Sequence, residues 1–368
     1  MTTDAALHEK REALKRRLAA GEYRTLIDVL LAGISRIIQK ITHNPRPISP
    51  WYSSLILFLV VLLTGFAFTI LLGDVSNFTT LQVTAVFIPL SILIGYLAVG
   101  SMVTNNIYVH RVFTTIHDSV LDAAESSATV DSVEHWLTAV CDRKAHLIMA
   151  VVGGVAGGIF LLSIFRVATG IPLPSAIAVE TLLVSVASFA FLYLLFFMVV
   201  LSTRVGRYHL KLYAADPSSS EVIGRLADLL SGFVYLAAIY AALVTLIMAL
   251  AGFGLQASVG VLGPILWIPI IAMFILNQTS LSSIIRRAKW KTLNEIQARV
   301  EQLHGADSLA DKDTMDAINR LMDYHDRIKG TRNSAFDLRA FLSLVNSLLL
   351  PFLALLLANL DKVLALFQ

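Results

Sequence analysis

Residues 176–201 read AIAVETLLVSVASFAFLYLLFFMVVL, a run of 26 residues in which Glu180 is the sole charged side chain. A helix of this length rises about 39 Å, whereas the hydrocarbon core of a bilayer is about 30 Å thick. The stretch therefore predicts a transmembrane helix, and the rest of the chain can be interpreted around it.

Similar uncharged runs recur along the chain and alternate with charged stretches. Charged residues make up 15% of the 368 positions, whereas a typical soluble domain has about 25%. The sequence thus predicts an all-α fold: a polytopic helical membrane protein with six spans, a seventh apolar segment and cytosolic helical extensions. The spans are expected at 54–73, 81–103, 147–165, 176–201, 230–252 and 259–279, and the seventh segment at 340–360.

Lysine and arginine fall almost entirely on one side of these spans. Of the 29 basic residues, 27 lie in residues 1–53, 104–146, 202–229 and 280–339, which all share that side. The positive-inside rule places the basic side in the cytosol. We therefore expect an integral, multi-pass protein of the cell (inner) membrane with a cytosolic N-terminus. The C-terminus is external if the seventh segment crosses the bilayer.

The same pattern divides the chain into four parts. They are cytosolic N-terminal helices at 1–53, a six-span membrane domain at 54–279 with helical cytosolic loops at 104–146 and 202–229, a cytosolic helical hairpin at 280–339, and a seventh span or re-entrant segment with a short tail at 340–368.

Residues 24–41 carry apolar side chains at steps of three and four. This spacing is typical of an amphipathic helix. Such a helix either lies in the membrane interface, with its basic face toward anionic headgroups, or packs on the cytosolic helices of the protein itself.

Each half of the predicted hairpin carries a narrow apolar seam. Two helices with such seams bury them against each other in an antiparallel hairpin, or against neighbouring subunits. The seam residues are Leu293, Ile296, Val300, Leu303, Met315, Ile318 and Met322.

The third span contains two overlapping pairs of glycines four residues apart. Small residues at this spacing let two helix backbones approach closely. We favour a helix of the same chain over a second copy as the partner. The glycines are Gly153, Gly154, Gly157 and Gly158.

The sixth and seventh segments carry glycines and prolines, which can interrupt a helix, and asparagines, which place polar side chains in it. Prolines and glycines there either form a hinge at a pore or mark packing kinks. The pore or hinge candidates are Gly263, Pro264, Pro269, Asn277, Asn346 and Pro351.

Glu180 is the sole acidic residue within a predicted span. It lies either at headgroup level near the outer edge of the membrane or on a pathway for an ion or substrate. Because the spans hold no internal Lys, Arg, His or Asp, the sequence argues against a proton pump and a voltage sensor.

No catalytic or cofactor motif is found, so we expect neither an enzyme nor a cofactor. His110 and His117 lie two turns apart, with Asp122 nearby, but a lone pair of exposed histidines is a weak metal site and none is expected. The basic residues below the sixth span are better explained by orientation and lipid contact than by nucleic acid.

These observations favour an oligomeric membrane channel or pore-forming effector that is gated through its cytosolic helices. Its partners would be the lipid bilayer, further copies of the chain, and a cytosolic protein or small-molecule gating ligand. The alternatives are a transporter or lipid-handling protein, and a non-catalytic scaffold or sensor subunit that docks a cytosolic partner.

Overall fold

The computed structural model describes residues 2–43, 49–71, 88–169, 175–250, 263–305 and 312–333. Within these ranges the chain is helical and forms no strand, although one isolated antiparallel bridge joins Ala124 to Leu210. The predicted all-α class is confirmed. The seventh segment at 340–360 lies outside the described residues.

Twelve α-helices follow one another in the described ranges. Short π-helical turns at Ile116–Val120 and Met149–Gly153 join α4 to α5 and α7 to α8, and a 3₁₀ turn at Pro217–Ser219 precedes α10. The helices are α1 (Thr2–Ala19), α2 (Leu26–Thr42), α3 (Pro50–Leu71), α4 (Ile88–Thr115), α5 (Leu121–Ala123), α6 (Ser127–Val140), α7 (Arg143–Ile148), α8 (Gly154–Thr169), α9 (Ser175–Val205), α10 (Glu221–Leu250), α11 (Gly263–Gly305) and α12 (Lys312–Gly330).

Within the described ranges, five helical stretches are long and apolar enough to cross a membrane, by length and composition. Each overlaps one of the predicted spans from the second to the sixth, whereas the first predicted span coincides with a shorter apolar stretch, Pro50–Thr64, within α3. The five stretches are Ile92–Ala123, Arg143–Ser163, Ala178–Val205, Glu221–Leu243 and Trp267–His304.

Several helices run well beyond the predicted spans. α11 has 43 residues and is therefore about 65 Å long, roughly twice the thickness of the hydrocarbon core. α4 likewise continues through its π-helical turn into α5. Since a continuing helix keeps its main-chain groups paired, the change from apolar to polar side chains does not end it.

The described core extends to where these long helices meet α6. Trp136 of α6 is fully buried, and its ring meets Phe113 of α4 edge-on at a centroid distance of 6.2 Å. Its indole Nε1 donates to the carbonyl oxygen of Phe197 in α9 at 2.8 Å. A buried tryptophan needs such an acceptor. The last turns of the predicted span 176–201 therefore pack against α6.

α1 lies against α5 and α6 and is held there by apolar contacts and by ion pairs. Leu14 is buried and Leu7 and Leu18 pack against the core, whereas exposed ion pairs typically contribute about 0–1 kcal/mol each. Basic residues that indicated the cytosolic side thus also position a helix. The pairs are Lys10–Asp131, Lys15–Asp122 at 2.5 Å and Arg17–Glu134 at 2.5 Å.

α8 packs along α9 of the same chain through its glycines. A Cβ atom on Gly154 would lie 2.4 Å from the Cα of Val186, and one on Gly153 or Gly157 would meet the ring of Phe189. Gly158 faces Leu182 in the same way. No side chain could stand between the two backbones at this level, which is the arrangement that glycines four apart permit.

Substituting Gly154 tests this close approach. We expect Gly154→Ala to destabilise the protein by about 1–3 kcal/mol, because a backbone must move to admit the methyl group. Gly224→Ala is the matched control: it lies in α10 with nothing within 4 Å of the added Cβ, so higher helix propensity should stabilise it by up to about 1 kcal/mol. Thermal unfolding in detergent, followed by circular dichroism, compares the two. Equal midpoints would contradict the close approach of α8 to α9.

Candidate functional site

The predicted hinge region forms an unbroken helix. α11 begins at Gly263, so Pro264 occupies its first turn, where a missing N–H costs no helix hydrogen bond. Pro269 lies inside the helix with its ring exposed, and its nitrogen cannot donate to the preceding turn. The structure thus places one interior proline in α11. Asn346 and Pro351, the other predicted hinge residues, lie outside the described residues.

Asn277 holds α11 to α10. The side chain is buried, and its Nδ2 donates to the carbonyl oxygen of Leu230 at 3.1 Å. Within the described ranges its Oδ1 finds no hydrogen-bond partner. The residue predicted at the mouth of a pore therefore lies between two helices.

Glu180 is buried where α9 meets α3 and α4. A Cβ on Gly95 of α4 would lie 3.1 Å from the ring of Phe58 in α3 and 3.4 Å from Oε1 of Glu180. Glycine at position 95 thus leaves room for the Phe58 ring, and the carboxyl group lies beside it. The structure places Glu180 inside the helix bundle, between three of its helices.

Several polar side chains donate to main-chain carbonyl oxygens of neighbouring helices. These carbonyls already accept a helix hydrogen bond, and the second lone pair of the oxygen accepts the side chain. We call this set the carbonyl-linked side chains. They are Asn105 to Phe191 at 3.3 Å, Tyr108 to Leu229 at 2.6 Å, Trp136 to Phe197 at 2.8 Å, His146 to Ala190 at 3.1 Å, Tyr193 to Ala139 at 2.7 Å and Asn277 to Leu230 at 3.1 Å.

Of the carbonyl-linked residues, sequence reasoning singled out Asn277 alone, and His146 is among those that it missed. It is fully buried and stacks on Tyr193 with ring centroids 4.2 Å apart. Because its Nε2 faces the Ala190 carbonyl, Nε2 must carry the proton, and Nδ1 is left without a partner in the described part of the chain. Its position just before the apolar run at 147 was the available signal.

A second polar cluster joins α2 to α4. Thr25 caps α2: its side chain accepts from the Asp28 N–H at 3.1 Å, and the Asp28 carboxylate accepts from the Thr25 N–H at 2.8 Å. This reciprocal capping box fixes the first turn of the helix. The spacing of Thr25 and Asp28 was its signal in the sequence.

The same two residues reach α4. Asn106 Nδ2 donates to Asp28 Oδ1 at 2.7 Å, His110 Nε2 lies 2.8 Å from that oxygen, and the Thr25 hydroxyl donates to Asn106 Oδ1 at 2.5 Å. Burial raises the pKa of Asp28, but the hydrogen bonds from His110 and Asn106 outweigh it and leave the pKa below its ordinary value. Asp28 therefore carries a charge that α4 stabilises.

Two cavities adjoin this α2–α4 cluster, and both are lined by Asp28, Ala32 and His110. One, of about 500 Å³, extends toward Tyr23 and His117. The other, of about 360 Å³, extends between α2, α3 and α4. Solutes can therefore reach Asp28 and His110 of the cluster through these cavities.

The other candidate metal-binding residues are engaged separately. His117 contacts Asp118 at 2.6 Å, and Asp122 pairs with Lys15. Among the residues that the structure describes, no three His, Cys, Asp or Glu side chains gather as a metal site would require. Burial raises the pKa of the Cys141 thiol to about 12, so this cysteine is a poor nucleophile.

The hairpin of α11 and α12 packs through a small apolar cluster. Leu293, Ile296 and Ile328 are buried, with Val300 and Leu321 packed against them. Of the other predicted seam residues, Leu303 and Ile318 are half-buried, whereas Met315 and Met322 are exposed. The seam on α12 therefore runs along a different stripe from the predicted one.

Lys289 fastens the end of this hairpin. It is buried on α11, and its Nζ donates at 2.8 Å to the carbonyls of Lys329 and Thr331 and to Asn333 Oδ1. A cation at a helix C-terminus satisfies unpaired carbonyls and complements the helix dipole. Its signal was the spacing to Leu293 and Ile296, which places Lys289 one turn earlier on the seam.

Comparison of the chain with protein-family models, with curated proteins and with solved structures found no match. The functional argument therefore depends on the geometry of this chain, above all on that of α11 and the hairpin.

Replacing Asp28 tests the α2–α4 cluster. We expect Asp28→Asn to lower the free energy of unfolding by about 1.5–3 kcal/mol, because hydrogen bonds to a charged group are lost. Since the folded pKa is lowered, this stabilisation is present above the ordinary pKa near 4 and is lost as pH falls through the folded value. Chemical unfolding in detergent at neutral and acidic pH measures both effects.

Asp118→Asn is the control for this substitution. It also removes an aspartate–histidine contact, but an exposed one, and should change stability by less than about 0.5 kcal/mol. If the two variants unfold alike at neutral pH, the α2–α4 cluster does not stabilise the fold.

Proposed function

We propose that the protein is an oligomeric membrane channel, or a pore-forming effector, that opens when the hairpin of α11 and α12 moves. The observation that carries this proposal is the continuity of α11. One helix of 43 residues contains both a membrane-length apolar stretch and the arm of the hairpin. A displacement of the arm is therefore transmitted to the apolar stretch without an intervening loop.

The hairpin is also connected to α9. The Arg287 guanidinium of α11 donates to the carbonyl of Gly206, just after α9, at 2.8 Å, and Ser283 donates to the same oxygen at 2.9 Å. A Cβ on Gly206 would lie 3.2 Å from the Cα of Ser280. α9 and α11 are thus joined where the arm begins, so a movement of the hairpin would reach two membrane-length helices.

The apolar part of α11 carries one stripe that no described residue covers. Ile268, Ile271 and Ile275 are exposed at steps of three and four. Lipid or a neighbouring copy would cover this stripe in a membrane. The stripe is therefore the surface through which copies would pack in the proposed homo-oligomer, with Pro269 beside it as the hinge.

A scaffold or sensor subunit is the second candidate, because the hairpin exposes apolar side chains outside its own seam. A cytosolic protein that bound them would be the partner, or the gating ligand of a channel. These residues are Trp290, Met315, Met322 and Tyr324.

The orientation proposed with this function has a cytosolic N-terminus and hairpin in the cell (inner) membrane and an external C-terminus. Its support is the charge bias, with 27 of the 29 basic residues on the predicted cytosolic side. A transporter that uses Glu180, which is buried between three helices, is the remaining alternative.

Loosening the hairpin tests the channel. Lys289→Met removes three hydrogen bonds from a buried cation, a loss of about 1.5–3 kcal/mol. Because the hairpin restrains α11, we expect the open probability in planar-bilayer recordings to rise by at least about tenfold. Lys291→Met is the control, since Lys291 is largely exposed and pairs only at the surface with Glu125.

The recordings separate the parts of the proposal. Equal open probability in the two variants would reject gating through the hairpin. No conductance from the wild-type protein or either variant would reject the channel and favour the scaffold. In the scaffold case, Met315→Ser should weaken capture of the partner.

A further inference from the structure

We propose that the C-terminal half of α2 is a docking surface for anionic phospholipids. The surface, which we call the α2 lipid face, consists of Arg36, Ile37, Lys40 and Ile41. It is independent of the proposed channel, because it depends on α2 alone and requires no pore.

The burial of apolar side chains changes along α2. Ile27 and Leu31 in its first half are buried in the core, whereas Ile37 is 61% exposed and Ile41 73% exposed. The two alternatives for this amphipathic helix are therefore divided between its two halves. The first half packs one face on the protein and leaves Val29 and Leu30 partly exposed. The second half presents the most exposed apolar side chains of the helix, which nothing in the described structure covers.

The basic side chains in the second half of α2 indicate what covers the α2 lipid face. Arg36 and Lys40 are exposed and lie four residues apart on one stripe, and Ile37 and Ile41 form the next stripe. The one acidic residue of α2, Asp28, is engaged by α4 at the other end of the helix. Apolar side chains beside basic ones that pair with no acidic residue in the described ranges suit the boundary between acyl chains and anionic headgroups.

Exposed aromatic residues near the α2 lipid face also indicate the headgroup region of the membrane. Trp51 and Tyr52 are exposed in the first turn of α3, and α2 packs against α3. Exposed tryptophan and tyrosine at the start of an apolar helix are typical of the headgroup region. The α2 lipid face thus lies next to a segment with independent signs of contact with the interface.

Binding of lipid to the α2 lipid face would affect the contacts of α2 with α4. α2 is one helix, and its first turn is bound to α4 through Thr25, Asp28, Asn106 and His110. Lipid that orders the second half of the helix would therefore stabilise its attachment to α4.

A spin label on the α2 lipid face tests this inference in the full chain. Cys141 is the single cysteine, so the variant Cys141→Ser with Ile41→Cys carries one label. The protein is reconstituted in vesicles of phosphatidylcholine, with or without phosphatidylglycerol. Collisions of the label with oxygen report acyl chains, and collisions with a water-soluble nickel chelate report water. Asp316→Cys, exposed on α12, provides the reference for a label in water.

We expect the label at position 41 to collide mainly with oxygen, and more so when phosphatidylglycerol is present. Arg36→Gln with Lys40→Gln should shift the equilibrium between immersed and water-exposed positions of the label about thirtyfold toward water in the phosphatidylglycerol vesicles, because each basic side chain near an anionic surface contributes about 1 kcal/mol. Arg299→Gln with Arg320→Gln, two exposed basic residues of the hairpin, should leave it unchanged.

The other results would overturn the inference. A label that reaches neither reagent is covered by protein, either a second copy or another part of the chain. A label that reaches mainly the nickel chelate lies in water. Equal immersion with and without phosphatidylglycerol would show a general contact with lipid and would reject the anionic headgroup.

Discussion

The helices of this bundle are joined by hydrogen bonds from side chains to the main chain of their neighbours. A helix carbonyl retains a free lone pair after its own hydrogen bond is made, so it can accept a donor at almost any level. Asn105, Tyr108 and Asn277 use such carbonyls to join α4 and α11 to α9 and α10. In a low-dielectric interior, a donor without an acceptor would be costly, and an apolar side chain would give no specific register. The carbonyl-linked side chains therefore fix how the long helices lie against one another.

The features that could be predicted from the sequence are those that have a local physical cause. Uncharged runs of about 20 residues identify membrane-length helices because the bilayer sets their length. Glycines at 153, 154, 157 and 158 indicate a close helix partner for an equally local reason. The ends of the helices could not be predicted in this way. α4 and α11 continue far into polar sequence, where hydropathy falls but the helix has no reason to stop.

The features of the candidate site that could not be predicted from the sequence are contacts between residues far apart in the chain. Asp28 and His110 are 82 positions apart, and His146 meets an acceptor 44 positions away. Neither spacing nor composition brings such pairs together; only the packing of α2 on α4 and of α7 on α9 does. The hairpin shows the same limit at shorter range. Met315 and Met322 fit the apolar period of α12, but Leu321 and Ile328 face α11, because the stripe that packs is chosen by the partner helix.

Two elements, α2 and the hairpin, are attached by charged side chains in addition to a few buried apolar ones. α2 is bound to α4 by a charged cluster at one end and leaves apolar side chains exposed at the other. The hairpin is closed by one lysine and a small apolar cluster. Attachments of this kind, worth a few kcal/mol, are weak enough to be changed by the binding of a lipid or protein. The bundle and these two elements are thus held in different ways. Carbonyl-linked side chains join the long helices, whereas a charged group and a few buried apolar side chains attach α2 and close the hairpin. A regulator that acted on α2 or the hairpin would shift those elements without having to unpack the bundle.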